Sequence, residues 1–559
     1  MADTSVAPGS GAGSGTTADG GLRRSVGFWG LMFFSLGSII GSGWLLGALT
    51  AAKVAGPASL LSWILAAIML AVLALIHAEL GAAYPVAGGT ARFPYFAFGN
   101  LTGFIAGWSA WLQAVAIAPI EVEASISYLE STRFAKEHLR MLHTGGHLDG
   151  TLNNTGLLVA VIAMAVFTAI NLMGAKLLSD SNSVTVIWKT AIPVLTVVVL
   201  ITLNFHASNF HAGGGFAPFG GHGVFAALPA GVVFALQGFE QCVQMAGEAK
   251  DPQRDISRAV IAAMLVGSVV YILLEICFIG ALNPANLVHG WGSPIGEGNF
   301  GPYHDLAISA GAGWLAAMLV IDAVISPAGT GLVYVGTSSR LSYALGEEEE
   351  LPDALTKVNR SGVPWVSILL AFVVGLIMFL PFPSWQSLVG IVTSATAIMY
   401  AFAPVSLAAL HRQDPDRKRP YRMPYPSVLI PTGFVFANLI IYWGGFEVMW
   451  KLDLAIILGL VIFGIGIGVK NTNDSVNLRG AVWVLPWLAG LTVISALGRY
   501  GNGAHNVIPD WADLVVVVLF SLAIFFLTQQ FEQSTEQVRV AVDAEKRHLD
   551  EQGELNLPG

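Results

Sequence analysis

Gly37-Ser38-Ile39-Ile40-Gly41-Ser42-Gly43-Trp44 lies in the middle of an apolar run extending from about residue 26 to 51. Three glycines within seven residues each weaken a helix by about 1 kcal/mol relative to alanine. If the run is a membrane span, the break falls where lipid offers backbone groups no water, and non-helical chain is tolerated there only if it lines a cavity or is buried in protein. The composition puts it in a membrane. Of 559 residues, 54% are apolar and 11% charged, against about 25% charged in an average soluble domain. Too few charges remain to cover a surface of this size in water.

About 20 apolar residues carry a helix across the roughly 30 Å of hydrocarbon. Fourteen runs of that order occur, near 26–51, 58–83, 96–129, 156–173, 182–204, 224–246, 259–282, 309–343, 364–381, 386–410, 427–446, 453–469, 481–497 and 511–530. None alternates with period two, which excludes a barrel, so the expected fold is an all-α polytopic bundle in the bilayer. Lys and Arg placement orients it. With the N-terminus inside, twenty of the 27 fall in cytoplasmic loops and tails, six outside, and Lys189 within a span. Both termini are then cytoplasmic. Residues 1–22 read as a disordered Gly/Ser-rich tail without the regions of a cleaved signal, and 531–559 as a cytoplasmic tail.

A second interruption, Phe234-Ala235-Leu236-Gln237-Gly238-Phe239-Glu240, lies in the sixth run. Paired interruptions at corresponding places in two halves point to a transporter site. Runs 1–5 and 6–10 then form two inverted repeats, about 26–204 and 224–411, within a core of residues 23–411; four further helices occupy 427–530. A half-helix N-terminus offers free N–H groups and a positive dipole to a carboxylate. The carbonyls freed at the other end accept from an ammonium. Such a pair suits a zwitterionic amino acid. The alternative for these glycines is close helix packing of the small-xxx-small kind.

Several motifs resemble the amino acid–polyamine–organocation superfamily: Glu79-Leu80-Gly81-Ala82-Ala83-Tyr84-Pro85 with Gly88-Gly89, Gly41-Ser42-Gly43, the set Asn171, Gly174, Asn182 and Lys189, Gly247 to Ile256, and Ser339-Arg340-Leu341 with Leu351-Pro352. Within it, Ser42 to Leu45, Ile120-Glu121-Val122-Glu123, Gly215 to Gly220 and Leu380 to Trp385 are similar to bacterial aspartate–proton symporters. The resemblance implies a LeuT-like five-plus-five inverted repeat with broken helices 1 and 6, an acidic amino-acid substrate and a proton as coupling ion. It places Ile39, Ile40, Gly41, Ser42, Gly43, Phe234, Ala235, Gln237 and Gly238 at the substrate, with Phe234 as an occluding lid. Trp44 and Gln113 are added as candidates for the side-chain pocket. In proton-coupled relatives a lysine at the Lys189 position stands where others hold a structural sodium ion.

Ionisable groups inside a membrane are costly and functional by default. Lys189, Glu240, Asp322 and Glu121 are therefore proton-coupling candidates; Asp322 could pair with Lys189 or shuttle protons. Glu121 and Glu123 follow Pro119 and point about 200° apart. Glu121 is expected to face inward and Glu123 water or the interface. Glu275 reads as structural, and His77 and Glu79 as parts of an inner gate, with Glu79 meeting a basic residue of the inner loops.

The remaining features exclude functions. A net charge of −9 without a basic stripe speaks against nucleic acid. Cys242 and Cys277 read as small buried hydrophobes. Histidines of the outer loops lack metal-ligand spacing, so no metal is expected, and no cofactor beyond the proton. Glu347 to Glu350 read as a solvated helix face. Neither a hydrolase nor a P-loop motif is present, which argues against an enzyme or ATP drive. The expected partners are a small amino acid, a proton and the lipid bilayer of the cell membrane. An amino-acid exchanger or a neutral amino-acid symporter fits the same pattern. Nothing in the sequence bears on oligomeric state.

Overall fold

The computed structural model describes residues 26–554 except 87, 145–147, 174, 297–299, 349, 360–361, 381–383, 471–475 and 510. For 175–184, 248, 468–470, 546 and 548–554 it describes the backbone alone. The N-terminal tail, Gly174 and the side chain of Asn182, all read above, thus lie outside the described residues, as do Pro381 to Pro383. Among the described residues only three isolated bridges interrupt an otherwise helical architecture.

The helices are α1 Phe28–Ile39, α2 Gly43–Ala55, α3 Ser59–Ala83, α4 Gly89–Phe98, α5 Asn100–Leu129, α6 Asn154–Met173, α7 Ala175–Leu203, α8 Gly220–Ala226, α9 Val233–Leu236, α10 Gln241–Gln244 and α11 Pro252–Ala281. They continue as α12 Pro302–Ser309, α13 Gly313–Glu347, α14 Trp365–Met378, α15 Trp385–Gln413, α16 Pro426–Gly444, α17 Phe446–Lys470, α18 Leu478–Ala481, α19 Val484–Leu497, α20 Ala512–Thr528 and α21 Thr535–Glu554. Among the described residues ten helical stretches, with Gly43–Ala83 counted as one, are long and apolar enough to cross a membrane; Phe28–Ile39, Gly220–Leu236, Trp365–Met378 and Ala512–Thr528 are apolar but shorter. Each apolar run of the sequence falls on one or more of these helices.

Their outer faces are greasy. Leu61, Ile64 and Ile68 on α3 are 43–54% exposed, and Leu454, Ile457, Leu458, Val461 and Ile465 on α17 are 53–60% exposed. These spacings are single helical stripes, and apolar stripes of that extent belong against lipid, not water. The chain is a multi-pass membrane protein.

Inside, α3 lies along α11, α5 along α13, and α15 between α5 and α16, while α1 rests on α11 and α7. Cys242 and Cys277 are free and buried, as read. The acidic run is the expected solvated face only at Glu347, and Glu349 lies outside the described residues. Glu350 is buried, and Glu348 pairs with Arg92 at 2.8 Å.

The C-terminal segment is also more than a tail. It docks through Gln533 N, which donates to Ala97 O at 3.0 Å, and through Gln413, whose Nε2 donates to both Ala97 O and Gln533 O. Arg412 pairs with Glu532, and Arg92 reaches Glu545 at 3.2 Å. Val538 and Val542 of α21 are buried.

Burial pushes Glu348 above the usual carboxylate range against the pull of Arg92, and burial with repulsion from Glu348 does the same to Glu350. The folded cluster holds those protons more tightly than an unfolded chain would. Its stability therefore rises as pH falls toward the ordinary carboxylate range and drains away as pH climbs through the raised values. The hydrogen-exchange protection of α21, relative to the intrinsic rate at each pH, is expected to rise from mildly alkaline to mildly acidic pH. Val538→Asp, which forfeits about 2 kcal/mol of apolar burial, should speed that exchange at least tenfold; an unchanged rate would show that α21 is held by other contacts.

Candidate functional site

Two chain breaks face each other in the bundle interior. The first follows α1: Ile40 turns out of the helix at φ −88°, ψ 82°, and α2 restarts after Ser42. The second follows α9, where Gln237 is extended and Gly238 has φ +113°. A Cβ on Gly238 would lie 2.9 Å from the Ser38 carbonyl carbon and 3.0 Å from Ile39 N, and one on Gly43 would lie 2.7 Å from Ala235 Cβ. Only glycine allows the two breaks to meet at that distance. Ser35 fixes the contact by donating to Phe239 O at 2.9 Å and accepting from Cys242 N at 3.1 Å.

The freed backbone groups are taken up by specific side chains. Tyr271 of α11 donates to Ile39 O at 2.8 Å. Ser42 N donates to Glu121 Oε2 at 2.8 Å and Ser42 Oγ to Oε1 at 3.1 Å, while Trp385 Nε1 donates to Ser42 Oγ at 3.0 Å. The α5 carboxyl thus sits at the positive end of α2, where the helix dipole favours an anion. A Cβ on Gly41 would come within 2.7 Å of Glu121 Oε1, so that glycine admits the carboxyl. Glu121 faces inward as expected. Glu123 does not face water: it is 1% exposed, and neither carboxyl oxygen has a partner.

Lys189 on α7 donates from Nζ to Gly37 O at 2.7 Å and to Thr330 Oγ1 on α13 at 2.6 Å, tying α1 and α13 together. Asp322 is not its hydrogen-bond partner. Its Oδ1 accepts from Trp188 Nε1 at 2.8 Å and Ser326 Oγ at 2.7 Å. Adjacent residues of α7 therefore bind α13 at two separate points. Glu240 lies in the second break itself: Oε2 accepts from Gly238 N at 3.1 Å and Tyr400 OH at 2.5 Å, and Oε1 from Gln241 Nε2 at 3.2 Å.

Between the breaks, Ser38, Ile39, Gly41, Gly43, Ile117, Glu121, Phe234, Gln237, Thr330 and Tyr334 line a chamber of about 10 Å³, room for about one water. This conformation is closed around the site. Phe234 stands edge-on to Trp385 at 5.8 Å and 90°. Of the residues read from sequence, Ile39, Gly41, Gly43, Glu121, Phe234 and Gln237 meet at the chamber. Ile40, Ser42, Ala235 and Gly238 form the breaks behind it. Trp44 is turned to Tyr303, with ring centres 5.6 Å apart, and Gln113 lies off the lining. Thr330, Tyr334, Tyr271, Trp385 and Tyr400 were not singled out. Thr330 and Tyr334, two and three turns beyond Asp322 on α13, could have been found by helical spacing; Tyr271, Trp385 and Tyr400 come from distant sequence.

Glu275 is held by Ser59 and by Trp63 Nε1, the latter at 2.9 Å, a structural arrangement. Glu79 lies 2.6 Å from His411 Nε2 and 3.6 Å from Arg419 Nε, and accepts from Met423 N at 2.9 Å. His77 packs edge-on against Phe239 and Tyr400, next to the Glu240 network. Among the described residues no group of acidic, His or Cys side chains could hold a metal.

Two unwound helices meeting at a buried polar chamber inside a helical membrane bundle define a transporter rather than an enzyme. The pattern that describes amino acid permeases matches residues 26–484, and the chain belongs to that family. It is 36% identical to the glutamate/serine transporter AimA of Bacillus subtilis over 540 residues, 95% of this chain and 98% of the relative. It is 32% identical to the aspartate-proton symporter of the same organism over 534 residues, 94% and 99% of the two chains. A branched-chain amino acid permease, BcaP of B. subtilis, is 27% identical over 457 residues, 80% of this chain and 94% of the relative.

Lys189→Met should remove the cation shared by the Gly37 carbonyl and the Thr330 hydroxyl, which keep their own 3.3 Å contact, costing about 1–3 kcal/mol, read as a lower unfolding temperature in detergent. Gly238→Ala, strained in φ and pressed into the α1 backbone, should lower uptake at least tenfold at matched expression; normal uptake would mean the breaks need not touch.

Proposed function

We propose that this permease takes up an acidic amino acid, aspartate or glutamate, together with a proton by alternating access. The observation that carries the reading is the Glu121 carboxyl on the Ser42 N–H, at the N-terminus of α2. A substrate α-carboxylate needs the same donors. While Glu121 is ionised it occupies them; once protonated it binds them less well and gives way. Proton and substrate then favour the same state, which is what coupling requires.

In this cycle the substrate carboxylate takes the α2 N-terminus and its ammonium the carbonyls freed at the ends of α1 and α9. Lys189 serves as the fixed or exchanging cation between α1 and α13, and Asp322 and Glu240 as further protonatable groups. Phe234 against Trp385 covers the chamber, and the Glu79 cluster latches the inner end of α3. Two inverted repeats, about 26–204 and 224–411, rock against each other; fourteen spans, cytoplasmic termini, four accessory helices over 427–530 and residence in the cell membrane complete the arrangement. No cofactor takes part beyond the proton.

An acidic substrate is supported by the names of the two relatives above, one of which also names serine. Gln237, which lines the chamber and whose buried amide oxygen lacks a partner, offers a neutral group to a substrate side chain. That favours, as a second reading, a neutral polar amino acid in the same site.

In proteoliposomes, external acid should stimulate uptake of labelled aspartate, and a protonophore should abolish the stimulation. Glu121→Gln should retain substrate exchange while losing the response to the gradient. Uptake indifferent to the gradient would remove proton symport and leave an exchanger; serine competing as well as glutamate would favour the neutral substrate.

A further inference from the structure

Glu123 is a buried acid that the cycle above leaves unused. It is 1% exposed, and neither carboxyl oxygen finds a donor or acceptor. Its face of α5 is set by Pro119, one turn earlier and on the same side. The Pro119 ring lies 3.3 Å from where a Cβ on Gly375 of α14 would stand, and Met164 of α6 comes within 2.6 Å of the same point. Glu123 is therefore turned to the α5–α6–α14 seam, nearly opposite Glu121.

Among the described residues no charge pairs with it there. Neither α6 nor α14 carries an ionisable side chain. On α13, Asp322 is bonded to Trp188 and Ser326. On α15, Tyr400 is bonded to Glu240, while His411 and Arg412, at the far end, are bonded to Glu79 and Glu532. On α17, Asp453 accepts from Thr492. Lys451 of that helix pairs with Glu447. On α5 itself Glu121 is spent on Ser42. An ionised carboxylate without a donor in such a place is far more costly than a neutral acid lacking one hydrogen bond. The packing shown here accommodates the neutral acid.

Resting on the proton-coupled reading above, we infer that Glu123 is a second proton-binding site, filled while the α5–α6–α14 seam is closed and emptied when the seam hydrates in the opposite-facing state. The step is a simple exchange: carboxylate and a proton from water form the carboxylic acid as the seam closes, and the acid returns the proton to water as it opens. Pro119, unable to donate to the carbonyl four residues back, gives α5 a place to bend just below this group.

The test is the number of protons moved per labelled aspartate in proteoliposomes, for the wild type and Glu123→Gln. The variant should move one proton fewer per substrate, while substrate counterflow, which needs no net proton movement, persists. Glu123→Asp, which still titrates, should restore the wild-type count. Should the Gln variant fold poorly, as judged by its unfolding temperature, difference infrared spectra of the wild type decide: a protonated-carboxyl band lost on substrate addition and absent from Glu123→Met supports the assignment, and its persistence in Glu123→Met overturns it. An unchanged proton count in Glu123→Gln, with the wild type still coupled, overturns this inference alone. A wild type that moves no protons overturns it together with the reading beneath it.

Discussion

A peptide N–H or carbonyl that leaves its helix inside hydrocarbon has no water to turn to, so every interruption must be answered by another part of the protein. In this bundle the answers are concrete. Tyr271 takes the last carbonyl of α1, Lys189 the Gly37 carbonyl, Glu121 the first N–H of the α2 turn, and Glu240 the N–H of Gly238. Three helices outside the broken pair, α11, α7 and α5, together with a side chain of the second break itself, thus supply what two unwound segments lack. The same groups are ionisable or strongly polar, so satisfying the backbone and handling charge become a single problem at a single place.

Glycine makes this arrangement sterically available. At Gly41 it admits a carboxyl, at Gly43 it admits the α9 backbone, and at Gly238 it allows the second break to lie on the first. A methyl group at any of these points would push apart elements whose polar groups are matched to within hydrogen-bonding distance. The closed chamber follows from this packing. Opening it requires the two breaks to separate while their backbone groups keep partners, and a substrate carboxylate and ammonium are chemically equipped to replace Glu121 and the neighbouring carbonyl contacts.

Around the breaks, adjacent residues divide the labour. Trp188 and Lys189 reach two different points on α13, and Glu121 and Glu123 serve opposite sides of α5, one engaged with a helix N-terminus and the other in an apolar seam. At the other end of the molecule, Glu79 joins α3 to the segment following α15, and α21 closes over α4 through Arg92 and the Val538 contact.

The helical membrane architecture and both interruptions were legible in the sequence, because hydrophobic length and glycine content act locally and need no partner to be read. So were Lys189, Glu121 and Glu240, since a charge within an apolar run stands out by itself. What the chain order could not give was who meets whom. That Asp322 bonds Trp188 instead of Lys189, that Glu123 is as buried as Glu121, that the acidic run holds Arg92, and that Tyr271, Trp385 and Tyr400 complete the site are facts of helix rotation and depth. Those are decided by packing between helices hundreds of residues apart, where a rotation of a few tens of degrees exchanges a lipid-facing side chain for a buried one.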